Sequence, residues 1–270
     1  MDGPELKVFG IATTGINMSL QNNKSLGQHW LKDRLILDEI ADETLLVGEE
    51  NQPLCVEIGP GLGTLTSSLL RRFPKVLAIE FDQKLAKNLP NSFPGKNLEV
   101  INEDFLKFDL DSLNEKYVVA GNIPYYITSP IIEKLLTAKC KPERIALLIQ
   151  KEVAERILAE SGKHTYLSLS VQNYANVEPG IIVPKDYFTP PPKVDSATII
   201  LTPRDEPLVS VEVLSLTKRG FSNPRKKLIK NLPYERAKLE EIFDDLNIDQ
   251  NARPSDLSHN DWQKLFDKIK

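Results

Sequence analysis

The segment Leu54-Cys55-Val56-Glu57-Ile58-Gly59-Pro60-Gly61-Leu62-Gly63-Thr64 joins an apolar, β-branched run to three glycines at alternate positions. The run Leu54–Ile58 has the length and composition of a buried strand. A helical pattern follows from Leu62 to Phe73. Glycines between a strand and a helix let the backbone turn sharply and approach a ligand without a Cβ in the way. The dinucleotide fingerprint G-x-G-x-x-G would need glycine at position 64, which is Thr64. The spacing is instead G-x-G-x-G, with the acidic Glu57 two residues before the first glycine.

Outward from this loop, short β-rich runs alternate with helical stretches. The strand candidates are Leu54–Ile58, Val76–Glu80, Leu98–Asn102, Tyr117–Ala120, Ile145–Ile149 and Ala197–Leu201. A helix over Pro130–Ala138 carries Ile131, Leu135 and Leu136 at helical spacing, and another is expected from the N-cap Asp33 to about Leu46. Such alternation predicts an α/β fold, a mostly parallel sheet covered on both faces. Pro203-Arg204-Asp205-Glu206-Pro207 reads as a linker. Beyond it the β signal ends, and Val211, Leu214, Phe221, Leu228, Leu232, Leu239, Ile242 and Leu246 recur at helical spacing. The expected organisation is an N-terminal extension over 1–21, a ligand-binding α/β domain over 22–203 and a small all-helical domain over 204–270.

Among 270 residues, 41% are hydrophobic and 27% charged, which excludes a disordered or collagen-like chain. No run reaches the roughly 18 apolar residues that a membrane helix needs. The N-terminus, Met1-Asp2-Gly3-Pro4-Glu5, lacks a basic region leading into an apolar one, so no secretory signal is expected. Cys55 and Cys140 sit in apolar surroundings and read as buried free thiols of a reducing compartment, so a cytoplasmic location is expected. His29, His164 and His259 are scattered and no Cys-x-x-Cys occurs, so the chemistry is expected to use no metal. Nothing points to an obligate oligomer, and a monomer is expected.

The glycine spacing is that of S-adenosylmethionine (SAM) binding in Rossmann-like methyltransferases. Glu80 ends the second strand, 21 residues after Gly59, where a carboxylate accepts hydrogen bonds from ribose hydroxyls. Asp104, with Phe105 beside it, is placed to meet the adenine amino group, and Glu103 is the rival for that role. Asn122-Ile123-Pro124-Tyr125 follows the fourth strand at the sheet edge where open α/β folds put their active sites. An exocyclic adenine amine is a poor nucleophile because its lone pair is conjugated with the ring. The Asn122 side-chain oxygen and the Pro124 carbonyl suit holding the amine hydrogens so that nitrogen becomes pyramidal, while Tyr125 stacks on the base. That is catalysis by orientation and electrostatics, without a titrating base.

Lys24-Ser25-Leu26-Gly27-Gln28-His29-Trp30-Leu31, the loop Glu57–Gly63, Asn122–Tyr125 and Phe188-Thr189-Pro190-Pro191-Pro192-Lys193-Val194-Asp195-Ser196 together resemble the KsgA/RsmA family over about residues 22 to 232. The resemblance implies a Rossmann-like class I SAM-dependent methyltransferase sheet. It implies dimethylation at N6 of two adjacent adenosines near the 3′ end of small-subunit ribosomal RNA, with a role in ribosome biogenesis. Implied cofactor contacts are His29, Leu31, Gly59, Gly61, Glu80, Asp104 and Asn122. Phe188 would face the target adenine opposite Tyr125, a sandwich suited to a flipped base. Trp30 stands where the family usually has Phe. The Erm methyltransferases, acting on large-subunit RNA, share most of these motifs, and a non-catalytic assembly factor on the same fold is the third reading.

A net charge of −4 argues against nucleic-acid binding, but it is an average. Between Lys218 and Lys238 eight cations face Glu235 alone, a local balance of +7. Within it, Phe221-Ser222-Asn223-Pro224-Arg225-Lys226-Lys227-Leu228 resembles the family's basic element, with Pro224 replacing an arginine at what reads as a first helical turn. Arg225, Lys226 and Lys227 are the expected phosphate contacts to ribosomal RNA.

Overall fold

A computed structural model describes residues 29–270. Two compact units are present, one containing residues up to Ala154 together with Val177–Pro203, the other Glu155–Asn176 and Arg204–Lys270.

In the first unit, β1 (Trp30–Leu31) leads through the N-cap Asp33 into α1 (Arg34–Glu43). Then follow β2 (Leu54–Ile58), α2 (Thr64–Leu69), β3 (Val76–Glu80), α3 (Gln83–Asn88), β4 (Leu98–Asn102), β5 (Tyr117–Asn122), α4 (Thr128–Thr137) and β6 (Arg144–Gln150). After α5 (Lys151–Ile157) and α6 (Tyr166–Tyr174) come β7 (Ala175–Val183), β8 (Phe188–Thr189) and β9 (Ser196–Pro203). Seven strands form one sheet in the order β4-β3-β2-β5-β6-β9-β7. The β2–β6 strands pair in parallel, whereas β9 runs antiparallel to β6. Every residue of β2 and β3 is buried, as a parallel sheet covered on both faces requires. The chain runs from β2 outward to β4 and then returns to place β5 on the other side of β2. The carboxyl ends of β2 and β5 therefore flank a topological switch point, where such sheets open a binding crevice.

The helix after the glycine loop is held from one side. Arg72 of the turn beyond α2 grips Asp42 of α1 through Nε at 2.5 Å and a second nitrogen at 2.9 Å, and Ser68 donates to Asp38 at 2.6 Å. Beneath these, Ile36, Leu37 and Ile40 of α1 pack with Leu65 and Leu69 of α2 onto Cys55 and Val118 of the sheet.

Several boundaries differ from expectation. Helix α2 stops at Leu69, and residues 71 and 72 turn instead of continuing to Phe73; α1 ends at Glu43, short of Leu46. Strand β7 lies at the sheet edge and contains Pro179 and Gly180, residues tolerated there but weak as strand signals. Cys55 is buried, but Cys140 is only half-buried, its thiol donating to the Leu113 carbonyl.

The second unit contains α6, α7 (Val211–Gly220), α8 (Arg236–Asp245) and α9 (His259–Ile269). Its core includes Leu169, Val213, Leu216, Leu228, Leu239, Phe243, Trp262 and Leu265. Val211, expected in that core, is exposed at the first position of α7. The span 22–203 expected for the α/β domain contains a segment, Glu155–Asn176, that belongs instead to the helical unit. Its anchor is Asn173, whose amide accepts from the Val209 N–H at 2.8 Å and donates to the Val209 carbonyl at 3.2 Å. The supposed linker is tied down in the same way, since Arg204 N–H donates to the Tyr174 carbonyl at 2.8 Å. Among the described residues no helix is long and apolar enough to cross a membrane.

Candidate active site

A cavity of about 280 Å³ opens at the switch point, lined from the ends of β2, β3, β4 and β5 and from β1 and β8. Gly59 and Gly61 bring backbone to its floor with φ of +63° and +58°, a region that disfavours any side chain. Open space lies where a Cβ on Gly59 would project, so a ligand can lie directly on this backbone. Trp30 covers the opposite side of the loop, with Nε1 3.5 Å from where a Gly61 Cβ would stand.

Glu80 is buried, and both of its carboxylate oxygens accept backbone N–H groups: Oε2 from Gly61 at 2.9 Å and Oε1 from Asp82 at 2.8 Å. Burial raises its pKa, and these two donors oppose the rise. The carboxylate thus fixes the glycine loop to the end of β3 and still has lone pairs for a ligand. Asp104 Oδ1 accepts the Leu106 N–H at 3.0 Å, which orients its carboxylate at the cavity wall, with Glu103 and Phe105 alongside.

Asn122 ends β5. Its Nδ2 donates to the His29 carbonyl at 3.3 Å. A carbonyl can only accept, so this contact sets the amide's orientation and leaves Oδ1 as an acceptor for a substrate amine. The His29 ring Nδ1 lies 2.8 Å from the Pro190 carbonyl, and β1 pairs with β8 through Trp30–Thr189 and Leu31–Phe188. This ladder carries Phe188 to the wall of the cavity that Pro124 also lines.

His29, Gly59, Gly61, Glu80, Asp104, Asn122, Pro124 and Phe188 therefore converge on one cavity. Leu31 does not line it: side chains alternate along a strand, and that of Leu31 turns into the core with Ile36 and Ile40. Lys24–Gln28 and the Tyr125 side chain lie outside the described residues. Phe81 and Tyr126, 64% and 67% exposed, also line the cavity and were not anticipated; the available signals were an aromatic directly after Glu80 and a second tyrosine after Tyr125. Arg225, Lys226 and Lys227 lie in the helical unit and are exposed, in a turn and not on a helix. Pro224 cannot donate within a helix, and regular structure begins only with a 3-10 turn at Leu228. Lys227 Nζ donates to the Asn251 side chain, whereas Arg225 and Lys226 extend from the same turn.

Glu57, Glu80, Glu103 and Asp104 put four acidic side chains on the cavity wall, Glu57 among them in its protonated form, and among the described residues no Lys or Arg lines it. Such a wall repels phosphates and favours a cationic ligand. Glu57 is 1% exposed, and burial, with Glu80 nearby, lifts its pKa to about 8. Its native form keeps a proton that the unfolded chain releases near pH 4.5, so this group's contribution to stability falls as pH rises from about 4.5 to about 8. Glu57→Gln removes that dependence. Thermal melts from pH 5 to 8 should show the variant gaining on the wild type as pH rises; a constant difference would mean that Glu57 is not neutral in the native protein.

A family model described as "Ribosomal RNA adenine dimethylase" matches residues 19–270. The chain belongs to this family. Within it, the "Ribosomal RNA small subunit methyltransferase A" of Bacillus licheniformis is 38% identical over 268 residues, covering 92% of this chain and 91% of that protein. The protein of the same name from Alkaliphilus oremlandii is 39% identical over 265 residues, covering 92% and 91%. Two solved structures share the architecture. A dimethyladenosine transferase from Plasmodium falciparum superposes with a TM-score of 0.76 at 28% identity, covering 89% of this chain and 97% of the other. The 23S rRNA methyltransferase ErmE superposes with a TM-score of 0.71 at 30% identity, covering 89% and 99%.

Proposed function

We propose that the protein transfers methyl groups from SAM to N6 of two adjacent adenosines near the 3′ end of small-subunit ribosomal RNA, giving N6,N6-dimethyladenosine during ribosome biogenesis. The observation that carries this reading is Asn122, whose amide is turned by the His29 carbonyl so that Oδ1 is available at the mouth of a carboxylate-lined cavity. The residues fit SAM: the uncovered backbone at Gly59, the unpaired buried oxygen of Glu57 and the absence of Lys and Arg among the described wall residues suit a cation-bearing nucleoside. SAM supplies an electrophilic methyl group on a sulfonium.

Glu80 accepts the ribose hydroxyls, Asp104 takes the adenine amino group, and Gly59, Gly61 and His29 shape the remaining wall. For the substrate base, Asn122 Oδ1 and the Pro124 carbonyl hold the two amine hydrogens and align the nitrogen lone pair. Phe188 and Tyr125 enclose the ring. Water is kept from the reacting nitrogen by the apolar rim of Ile123, Ile127 and Phe188. ErmE shares the architecture, but the small-subunit names among the relatives, at 38–39% identity, favour the first substrate.

Methyl transfer from labelled SAM to two substrates in parallel tests the reading: small subunits lacking the modification, and protein-free large-subunit RNA. N6,N6-dimethyladenosine in the small subunit supports it. Label confined to large-subunit RNA makes this an Erm-type enzyme, and no label with SAM still bound leaves an assembly factor.

In the helical unit, Arg225 and Lys226 contact phosphates and position the RNA without reading its sequence. Arg225→Ala and Lys226→Ala should each flatten the plot of log affinity against log salt by about 1, with no change in which adenosines are methylated. An unaltered salt slope in the double variant places the RNA elsewhere.

A further inference from the structure

Tyr126 lines the cavity yet stays exposed, and no step above uses it. Its backbone is fixed. It sits in a 3-10 turn, Tyr125–Ile127, that runs straight into α4, whose Ile131, Ile132 and Leu135 are buried. The Ile127 N–H donates to the Pro124 carbonyl at 3.2 Å, which closes the turn and leaves that carbonyl a second lone pair for the substrate amine. An aromatic ring held out on a rigid turn keeps apolar surface in water that a flat partner would cover.

The ring belongs to the substrate half of the cavity. The strand order β4-β3-β2-β5 puts β5 two places from β3 and three from β4, about 10 Å and about 14 Å at the usual spacing of neighbouring strands. Glu80 and Asp104, assigned to the nucleoside of SAM, come from β3 and from just beyond β4, whereas Asn122, Pro124 and Tyr126 come from β5 and the turn after it. Both faces of the target adenine are already assigned, to Phe188 and Tyr125. Residues two apart have Cα atoms no more than about 7.6 Å apart, which keeps Tyr126 close to the amine held at Pro124. A base turned out of its strand leaves its neighbour with an uncovered face. Unstacked RNA bases are taken up on flat aromatic side chains.

We propose that Tyr126 is a positioning residue for the RNA, its ring stacking on the base next to the adenine in the pocket. This deepens, and rests on, the assignment of two adjacent adenosines of small-subunit RNA as the substrate. The pocket fixes the direction of the strand, so Tyr126 takes the neighbour on one side only. For one of the two adenosines that neighbour is the other adenosine. The stack acts on substrate affinity and not on the transfer step, and it needs a flat ring but no hydroxyl.

Small subunits lacking the modification, with the natural RNA or with either adenosine changed to uridine, a smaller and more weakly stacking base, test this. Tyr126→Ala and Tyr126→Leu should raise KM for the natural particle about 5- to 100-fold, with kcat and SAM affinity within a few-fold of wild type. Tyr126→Phe should stay close to wild type. One of the two uridine particles should show a several-fold higher KM with the wild type and little further change with Tyr126→Ala, because the contact it weakens is already gone. An unchanged KM in Tyr126→Ala overturns the proposal, as does rescue by leucine equal to that by phenylalanine. Wild type and Tyr126→Ala responding alike to both uridines also overturns it, and a parallel loss of SAM affinity gives the ring to the cofactor instead. If Tyr126→Ala does not fold, Tyr126→Leu completes the same comparison. Failure of the wild type to methylate small subunits at all would instead remove the substrate assignment itself.

Discussion

Asn122→Ala should lower methyl transfer about 10²–10³-fold while changing SAM affinity by no more than a few-fold, the scale seen when one preorganised hydrogen-bonding group is removed from an active site. The side chain does two things. Its Nδ2 ties the end of β5 to the His29 carbonyl at 3.3 Å, and its oxygen is thereby held for the substrate amine. Alanine removes both. Asn122→Asp separates them, because a carboxylate keeps an acceptor but cannot donate to a carbonyl. If acceptance from the amine is what matters, the Asp variant retains more activity than the Ala variant. Single-turnover assays with saturating SAM, beside equilibrium binding of SAM, make the comparison. Near-normal turnover of Asn122→Ala would take the residue out of the reaction, and equal losses in Ala and Asp would reduce it to an anchor for β1.

Glu80→Ala should weaken SAM about 10- to 100-fold, as expected from losing hydrogen bonds to a charged group worth about 1.5–3 kcal/mol, with RNA affinity almost unchanged. Glu80→Gln is not a mild alternative here. Each carboxylate oxygen already accepts a backbone N–H, from Gly61 on one side and Asp82 on the other. Whichever way the amide is turned, its NH₂ meets one of those donors and the glycine loop loses a tie. Both variants should therefore lose SAM affinity, measured by titration beside an RNA-binding assay. Unchanged SAM affinity in Glu80→Ala would end the ribose role, and parallel losses for SAM and RNA would point to general unfolding of the site.

The linear order of the chain contains most of the α/β architecture. Strands Leu54–Ile58 and Val76–Glu80 are legible to the residue because parallel strands buried on both faces are largely apolar runs ended by a polar residue or glycine, and the edge strand Leu98–Asn102, only part-buried, is legible from its alternation of apolar and polar residues. The glycine loop, Glu80, Asp104 and Asn122 are legible for a related reason: each ends a strand or lies within two residues of a strand's end, and the carboxyl edge of an open α/β sheet is where ligands bind.

What lies off those strand ends depends on contacts between distant residues. Strand β7 is masked by Pro179 and Gly180 and forms because an edge position tolerates them. Segment Glu155–Asn176 belongs to the helical unit through the pairing of Asn173 with Val209, 36 residues away. The same holds within the site. That Trp30 faces the loop while Leu31 enters the core follows from a two-residue strand pairing with Phe188 and Thr189. The orientation of the Asn122 amide is set by a carbonyl 93 positions earlier. The buried carboxyl of Glu57, one oxygen of which has no hydrogen-bond partner, is equally invisible along the chain, because its burial comes from the strands on either side. Local pattern determined which residues end the strands; only packing between separated segments decided which way their side chains turn and which of their atoms remain free for a ligand.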